Sequence, residues 1–126
     1  MAGGVRIDLS QWPVVVFHCE GLMTEESINV HLKEYRQLLD RGEPYVVLMD
    51  ARRIEAGPTS LRKIYAAFLA DNAADLKRLC RMCVFVTNSR LVTAAISAVL
   101  WLVPLPFPYK ATASYDDGLR WLRSLI

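Results

Sequence analysis

Two hydrophobic periods alternate along this chain, and the switches between them divide it into strands and helices. Val5 to Leu9 alternates apolar and polar residue by residue, the pattern of a half-exposed strand. Trp12-Pro13 marks a turn, and Val14 to Cys19 reads as a second strand led by β-branched residues. The pair predicts a hairpin that Gly21 breaks. Thr24 then suits an N-cap, with Glu25 and Glu26 at the positive end of a helix dipole. Ile28, Leu32, Tyr35 and Leu39 recur at helical spacing, and Glu25, Asn29, Lys33, Arg36 and Gln37 fill the other face. Arg41-Gly42 closes this helix. His31 partly shares the polar face and is expected in solvent.

Tyr45 to Met49 is a continuous apolar run that ends at Asp50, as a strand buried on both faces does. Ala51 to Gly57 reads as a loop carrying Arg52, Arg53 and Glu55. Pro58 pre-sets a helical first turn, with Thr59 or Ser60 as its cap. Leu61, Ile64, Tyr65, Phe68 and Leu69 form the apolar face of that helix, which weakens near Asp71-Asn72. Leu76 and Leu79 belong to a last segment before the next strand. Val84-Phe85-Val86 is that strand, and it stops at Thr87-Asn88-Ser89, a triplet able to cap another helix.

From Leu91 to Val103 there is no charge, and only Thr93 and Ser97 are polar. A bilayer needs about 20 apolar residues, so this run is too short to span one. It is core helix, subunit interface or pocket wall, and the pattern leaves the three open. Pro104, Pro106 and Pro108 end it, with Leu105, Phe107 and Tyr109 alternating between them in an extended segment. Lys110 to Ala113 is the last strand. Ser114-Tyr115-Asp116-Asp117 has the form of a capping box, and Leu119, Leu122 and Ile126 make the final amphipathic helix. The order ββαβαβαβα predicts a single α/β domain over residues 1–126. Its sheet is mixed and mostly parallel, with about five strands and four helices.

Composition changes this picture in two respects. A formal net charge of +2 is too small to argue for nucleic acid or an acidic membrane as partner. Three cysteines, an odd number, without an apolar leader in MAGGVRIDL, point to reduced thiols in a cytoplasmic protein. Glycine stands at position 3 rather than 2, so no myristoylation signal is present.

The helix start Thr24-Glu25-Glu26, the stretches VVLMDARRIEAGPTSLRKI and CVFVTNSR, and the closing SYDDGLRWL together resemble STAS-type, SpoIIAA-like domains. Those domains are related to anti-sigma-factor antagonists and to CRAL-TRIO-like bacterial proteins. The resemblance covers almost the whole chain and implies a regulatory, protein-binding module. In the phosphoswitches of that group a serine within an Asp-Ser-Ser-Gly-like motif, at the start of the helix after the third strand, accepts a phosphate. Gly57-Pro58-Thr59-Ser60 fills that place here, with hydroxyls but without the motif. The resemblance therefore makes Thr59 and Ser60 the candidate phosphoacceptors.

Residues that could carry chemistry are few. Cys80-Arg81-Met82-Cys83 is a CxxC that straddles a strand entry instead of opening a helix, which suits buried, inert thiols. No second pair completes a zinc site, and neither a metal nor a cofactor is expected. His18 and Cys19 are adjacent on a strand, so they point to opposite faces and cannot act as base and nucleophile. Asp50 is the most informative carboxylate, because ligands in open α/β sheets bind beyond the strand C-termini. Asp50, Arg52, Arg53, Thr59, Ser60, Thr87, Asn88, Ser89 and Arg90 are expected to gather at that edge as a partner or anion site.

Two functions follow. One is a non-catalytic regulatory module that binds another protein through the Asp50 to Ser60 and Thr87 to Arg90 loops, with homodimerisation through Leu91 to Tyr109 compatible with either function. The other is a carrier or sensor of a small apolar, lipid-like ligand. Leu91, Ile96, Leu100, Trp101, Phe107 and Tyr109 form the candidate dimer or ligand surface, and Phe68, Leu100, Trp101 and Phe107 the expected pocket.

Overall fold

A computed structural model describes residues 3–55 and 57–126, together with the backbone but not the side chain of Leu100. Met1, Ala2 and Ala56 lie outside the described residues. A five-stranded sheet runs in the order β1-β2-β3-β4-β5. β1 (Gly4–Gln11) pairs antiparallel with β2 (Val14–Leu22), and β3 (Tyr45–Glu55), β4 (Cys80–Val86) and β5 (Tyr109–Thr112) continue in parallel.

Each parallel step advances one strand in the same direction. Right-handed crossovers that always advance the same way put every connecting helix on one face of the sheet. Those helices are α1 (Glu25–Leu39), α2 (Ser60–Asp71), α3 (Ala73–Leu79) and α4 (Arg90–Leu102). They bury one core with Phe17, Tyr35, Val47, Leu69, Leu79 and Phe85 at its centre. α5 (Tyr115–Arg123) follows the last strand and covers the opposite face, where Leu122 packs on Val46, Leu48, Val84 and Val86. Gly118 lets it lie close. A Cβ there would stand 3.1 Å from Val84 and 3.3 Å from Leu48.

The helix starts are built as the sequence predicts at three places. Thr24 and Ser27 form a reciprocal capping box, with the Ser27 amide donating to Thr24 Oγ1 at 3.1 Å. Ser89 accepts from the Val92 amide at 3.3 Å, and Ser114 from the Asp117 amide at 3.1 Å. Thr59 and Ser60 depart from expectation, because neither side chain caps α2. Thr59 is already helical at φ −63° and ψ −21°, outside the extended conformation that a capping side chain needs. The Pro58 and Thr59 carbonyls take up the Leu61 and Arg62 amides instead.

Three further boundaries differ. Gly21 does not break β2, which runs on to Leu22 through an irregularity after His18. That extension gives Ala51 to Glu55 a partner strand, so most of the expected loop is the end of β3, paired Arg53 to Glu20 and Ile54 to Gly21. The segment before β4 is a helix of its own, α3, making five helices among the described residues rather than four. Asn72 causes the break. Its Nδ2 donates to the Phe68 carbonyl at 2.9 Å and its Oδ1 accepts from Arg36 at 2.7 Å, so it ends α2 and pins the joint to α1.

Candidate functional site

The residues expected at one strand edge fall into two groups on opposite sides of the sheet. Alternation along β3 sends Val47 and Met49 to the α1–α4 face, and Val46, Leu48, Asp50 and Arg52 to the α5 face. Asp50 is buried and accepts two parallel hydrogen bonds from Arg52, both at 2.9 Å. The Arg52 guanidinium also lies 5.0 Å from the centre of the Tyr115 ring on α5. The hydrogen bonds from Arg52 hold the Asp50 carboxyl below its usual range. Asp50 and Arg52 are thus each other's partners. Arg53 is exposed and faces Glu20 at 3.6 Å. His18 is on the same polar shelf, 3.6 Å from Asp8.

Thr87, Asn88, Ser89 and Arg90 do come together. They line a shallow groove with Thr93 and Ser97 of α4. Asn88 and Arg90 are exposed, and Arg90 makes no ion pair among the described residues. Thr87 Oγ1 accepts from the Ser89 amide at 3.1 Å, which fixes the turn. The start of α2 faces the start of α4 across a cavity that Pro58, Leu61, Leu91 and Val92 all border. Gly57 holds the α2 turn in place, because a Cβ there would run into the carbonyl oxygen of Met23. Thr59 is exposed and Ser60 half-buried.

That cavity has a volume of about 260 Å³ and lies between α1, α2, α4 and the sheet. It is not the pocket the sequence suggests. Phe107 is buried in the main core and Phe68 packs against Tyr35 at 5.3 Å. Trp101 is 89% exposed, and the Leu100 side chain is outside the described residues. Spacing explains the difference. Val92, Ile96 and Val99 form the inward stripe of α4, and at roughly 100° per residue Trp101 lies half a turn away from Val92. Leu91 and Tyr109 are exposed as well, whereas Ile96 is half-buried against the cavity.

His31 is the residue that sequence reading missed. It is 1% exposed, not solvated, and both ring nitrogens lack a hydrogen-bond partner. Phe17 meets it edge-on at 4.9 Å and Tyr65 lies nearly parallel at 6.5 Å. Desolvation pushes its pKa down to about 4. The signal was present: His31 stands three residues after Ile28 and four before Tyr35, on the buried stripe itself. Cys19 also lines the cavity, and Cys19, Cys80 and Cys83 are free and buried. Among the described residues no group of three or more His, Cys, Asp or Glu could hold a metal ion, and no helix is long and apolar enough to cross a membrane.

The chain's shape is similar to that of solved structures. An uncharacterized DUF3478-family protein from Shewanella loihica PV-4, described as having a SpoIIAA-like fold, superposes with a TM-score of 0.68 at 18% identity, over 95% of this chain and 94% of that one. The fold is SpoIIAA-like. The anti-sigma factor antagonist SpoIIAA in its unphosphorylated form gives the same TM-score of 0.68 at 9% identity, covering 95% of this chain and 98% of that one. An anti-sigma factor antagonist from Mycobacterium paratuberculosis gives 0.59 at 14% identity, over 96% and 94% of the two chains. No family model matches the sequence, and no curated protein does. The likeness is therefore one of SpoIIAA-like architecture.

Proposed function

We propose that this chain is a non-catalytic regulatory module that binds another protein through the turns opening α2 and α4. The observation that carries the reading is the Thr87–Arg90 groove. It offers exposed polar side chains and, at a helix start, a cation without an ion pair among the described residues. Such a surface suits a partner with carboxylates or other acceptors, because the guanidinium is a planar donor and the helix end favours negative charge. Two solved structures of the same architecture are named as anti-sigma factor antagonists, which supports the regulatory class. Thr59 is the better placed of the two phosphoacceptor candidates, being exposed and free of a capping bond. The three cysteine thiols are buried, which removes them as candidate nucleophiles.

The test places a photo-crosslinking residue at Asn88, and as a control at Gln37 on the outer face of α1, in cells expressing the chain. A discrete protein adduct from the Asn88 position, lost in R90E, is the expected result. Adducts from Gln37 with none from Asn88 would reject the proposed edge.

A further inference from the structure

Two of the three tryptophans hold a cation over the ring. The Arg41 guanidinium lies 4.4 Å from the centre of Trp12, and the Lys110 ammonium 4.6 Å from that of Trp121. Trp101 has no such cation among the described residues, although it is almost fully exposed. Arg90, on the same helix, is exposed and makes no ion pair among the described residues. At about 100° per residue, Arg90, Ala94, Ser97 and Trp101 fall on one outward stripe of α4, and all four are exposed. A rise of about 1.5 Å per residue separates Arg90 from Trp101 by roughly 16 Å along that stripe. A guanidinium binds a ring from within about 6 Å, and these two do not meet within the chain.

We infer that the outward face of α4 docks a second copy of this chain: the two helices cross antiparallel, and each Arg90 stacks on the other copy's Trp101. A two-fold axis midway between Ala94 and Ser97 sets Ala94 opposite Ser97 and Arg90 opposite Trp101, each pair twice. Ala94 and Ser97 are small enough to let the helices approach closely at the crossing. Charge selects this occupant. A two-fold axis turns a surface onto itself, so a face with net charge repels its own copy. The other helices expose charges, among them Lys33 and Glu34 on α1, Arg62 and Lys63 on α2, Lys77 on α3 and Asp116 on α5. From Leu91 to Val103 there is none, and exposed Leu91 and Leu102 widen the apolar patch. One helix face is small beside the roughly 800 Å² per partner of a standard interface, so the dimer is weak and forms reversibly at high concentration. A second copy seated there also covers Arg90, Thr93, Ala94 and Ser97 of the polar groove. Self-pairing and partner binding then exclude each other; this consequence rests on the proposed partner edge, whereas the dimer does not.

Sedimentation equilibrium of the purified full chain should show a concentration-dependent dimer. W101A should weaken it by about thirtyfold, since one substitution removes two symmetry-related contacts. R90A should weaken it too, yet add little in the W101A background, because the two side chains act as one pair. V30E, at an exposed position of α1, should leave the dimer unchanged. The native thiols are buried, so engineered ones report the crossing. A mixture of A94C and S97C chains should form a mixed disulfide faster than either chain couples with itself. A monomer at every concentration, a dimer indifferent to W101A, or faster self-coupling of A94C would each overturn the assignment. A monomer that floats with phosphatidylcholine vesicles would overturn it as well, by giving the face to a lipid surface. W101A should also raise the yield of any heterologous adduct from Asn88, which its mass distinguishes from a self-adduct; an unchanged yield would overturn the competition. Sedimentation uses one protein alone, so its failure would leave the partner edge standing, and failure of the Asn88 crosslink would leave the dimer standing.

Discussion

Against Phe17 and Tyr65, the His31 ring has a folded-state pKa near 4, below the value of 6.5 that an unfolded chain would show. The unfolded state therefore takes the proton first as pH falls. The stability tied to this group is fully present above about pH 6.5 and drains away between there and about pH 4, by roughly 3 kcal/mol in all. H31L should flatten that part of the stability–pH curve in chemical denaturation. It should also raise stability at neutral pH by about 1 kcal/mol, since an unpartnered imidazole gives way to an apolar side chain. The same slope in H31L as in the wild type would place the acid response elsewhere. Desolvation pushes the Cys19 and Cys80 thiols up to about 12, and raises Cys83 as well. All three should react slowly with a disulfide reagent in the native protein and rapidly after unfolding. One fast native equivalent would contradict that burial.

α5 stays on its face because Gly118 removes a side chain where the helix meets Val84 and Leu48. G118V should cost roughly 1–3 kcal/mol by overpacking, read as a lower denaturation midpoint with an unchanged slope. At this scale the sequence was most legible where one periodicity ran long. α1 and α4 stood within a residue or two of their expected ends, because burial on a fixed period leaves a repeated mark. It was least legible where a distant partner decides the outcome. Nothing within Ala51 to Glu55 shows that β2 extends far enough to pair with it. Asn72 ends α2 partly through Arg36, a residue of another helix. For the site, Thr87 to Arg90 were legible as a strand end followed by a cap. Alternation also carried the separation of Asp50 and Arg52 from that edge, but only once β3 was known to continue past Asp50.

Across the whole molecule, the one-way order of the crossovers sets two surfaces apart. Four helices and the cavity share one face, while α5 and the Asp50–Arg52 pair occupy the other. Sites on opposite faces with no shared contact should behave additively. R52A leaves the buried Asp50 carboxylate without its two donors, and should lower stability by roughly 1–2 kcal/mol, the modest size reflecting a half-exposed guanidinium. It should leave crosslinking from Asn88 intact. R90E should do the reverse, abolishing the adduct while moving the denaturation midpoint little, since Arg90 is exposed and has no ion pair among the described residues. The double variant should then show the sum of the two stability changes and the crosslinking loss of R90E alone. A loss of adduct in R52A at temperatures where the protein remains folded would mean that the two faces are coupled through β3. In that case Asp50 and Arg52 would act on the partner edge through the strand they share with the cavity wall at Met49 and Ala51.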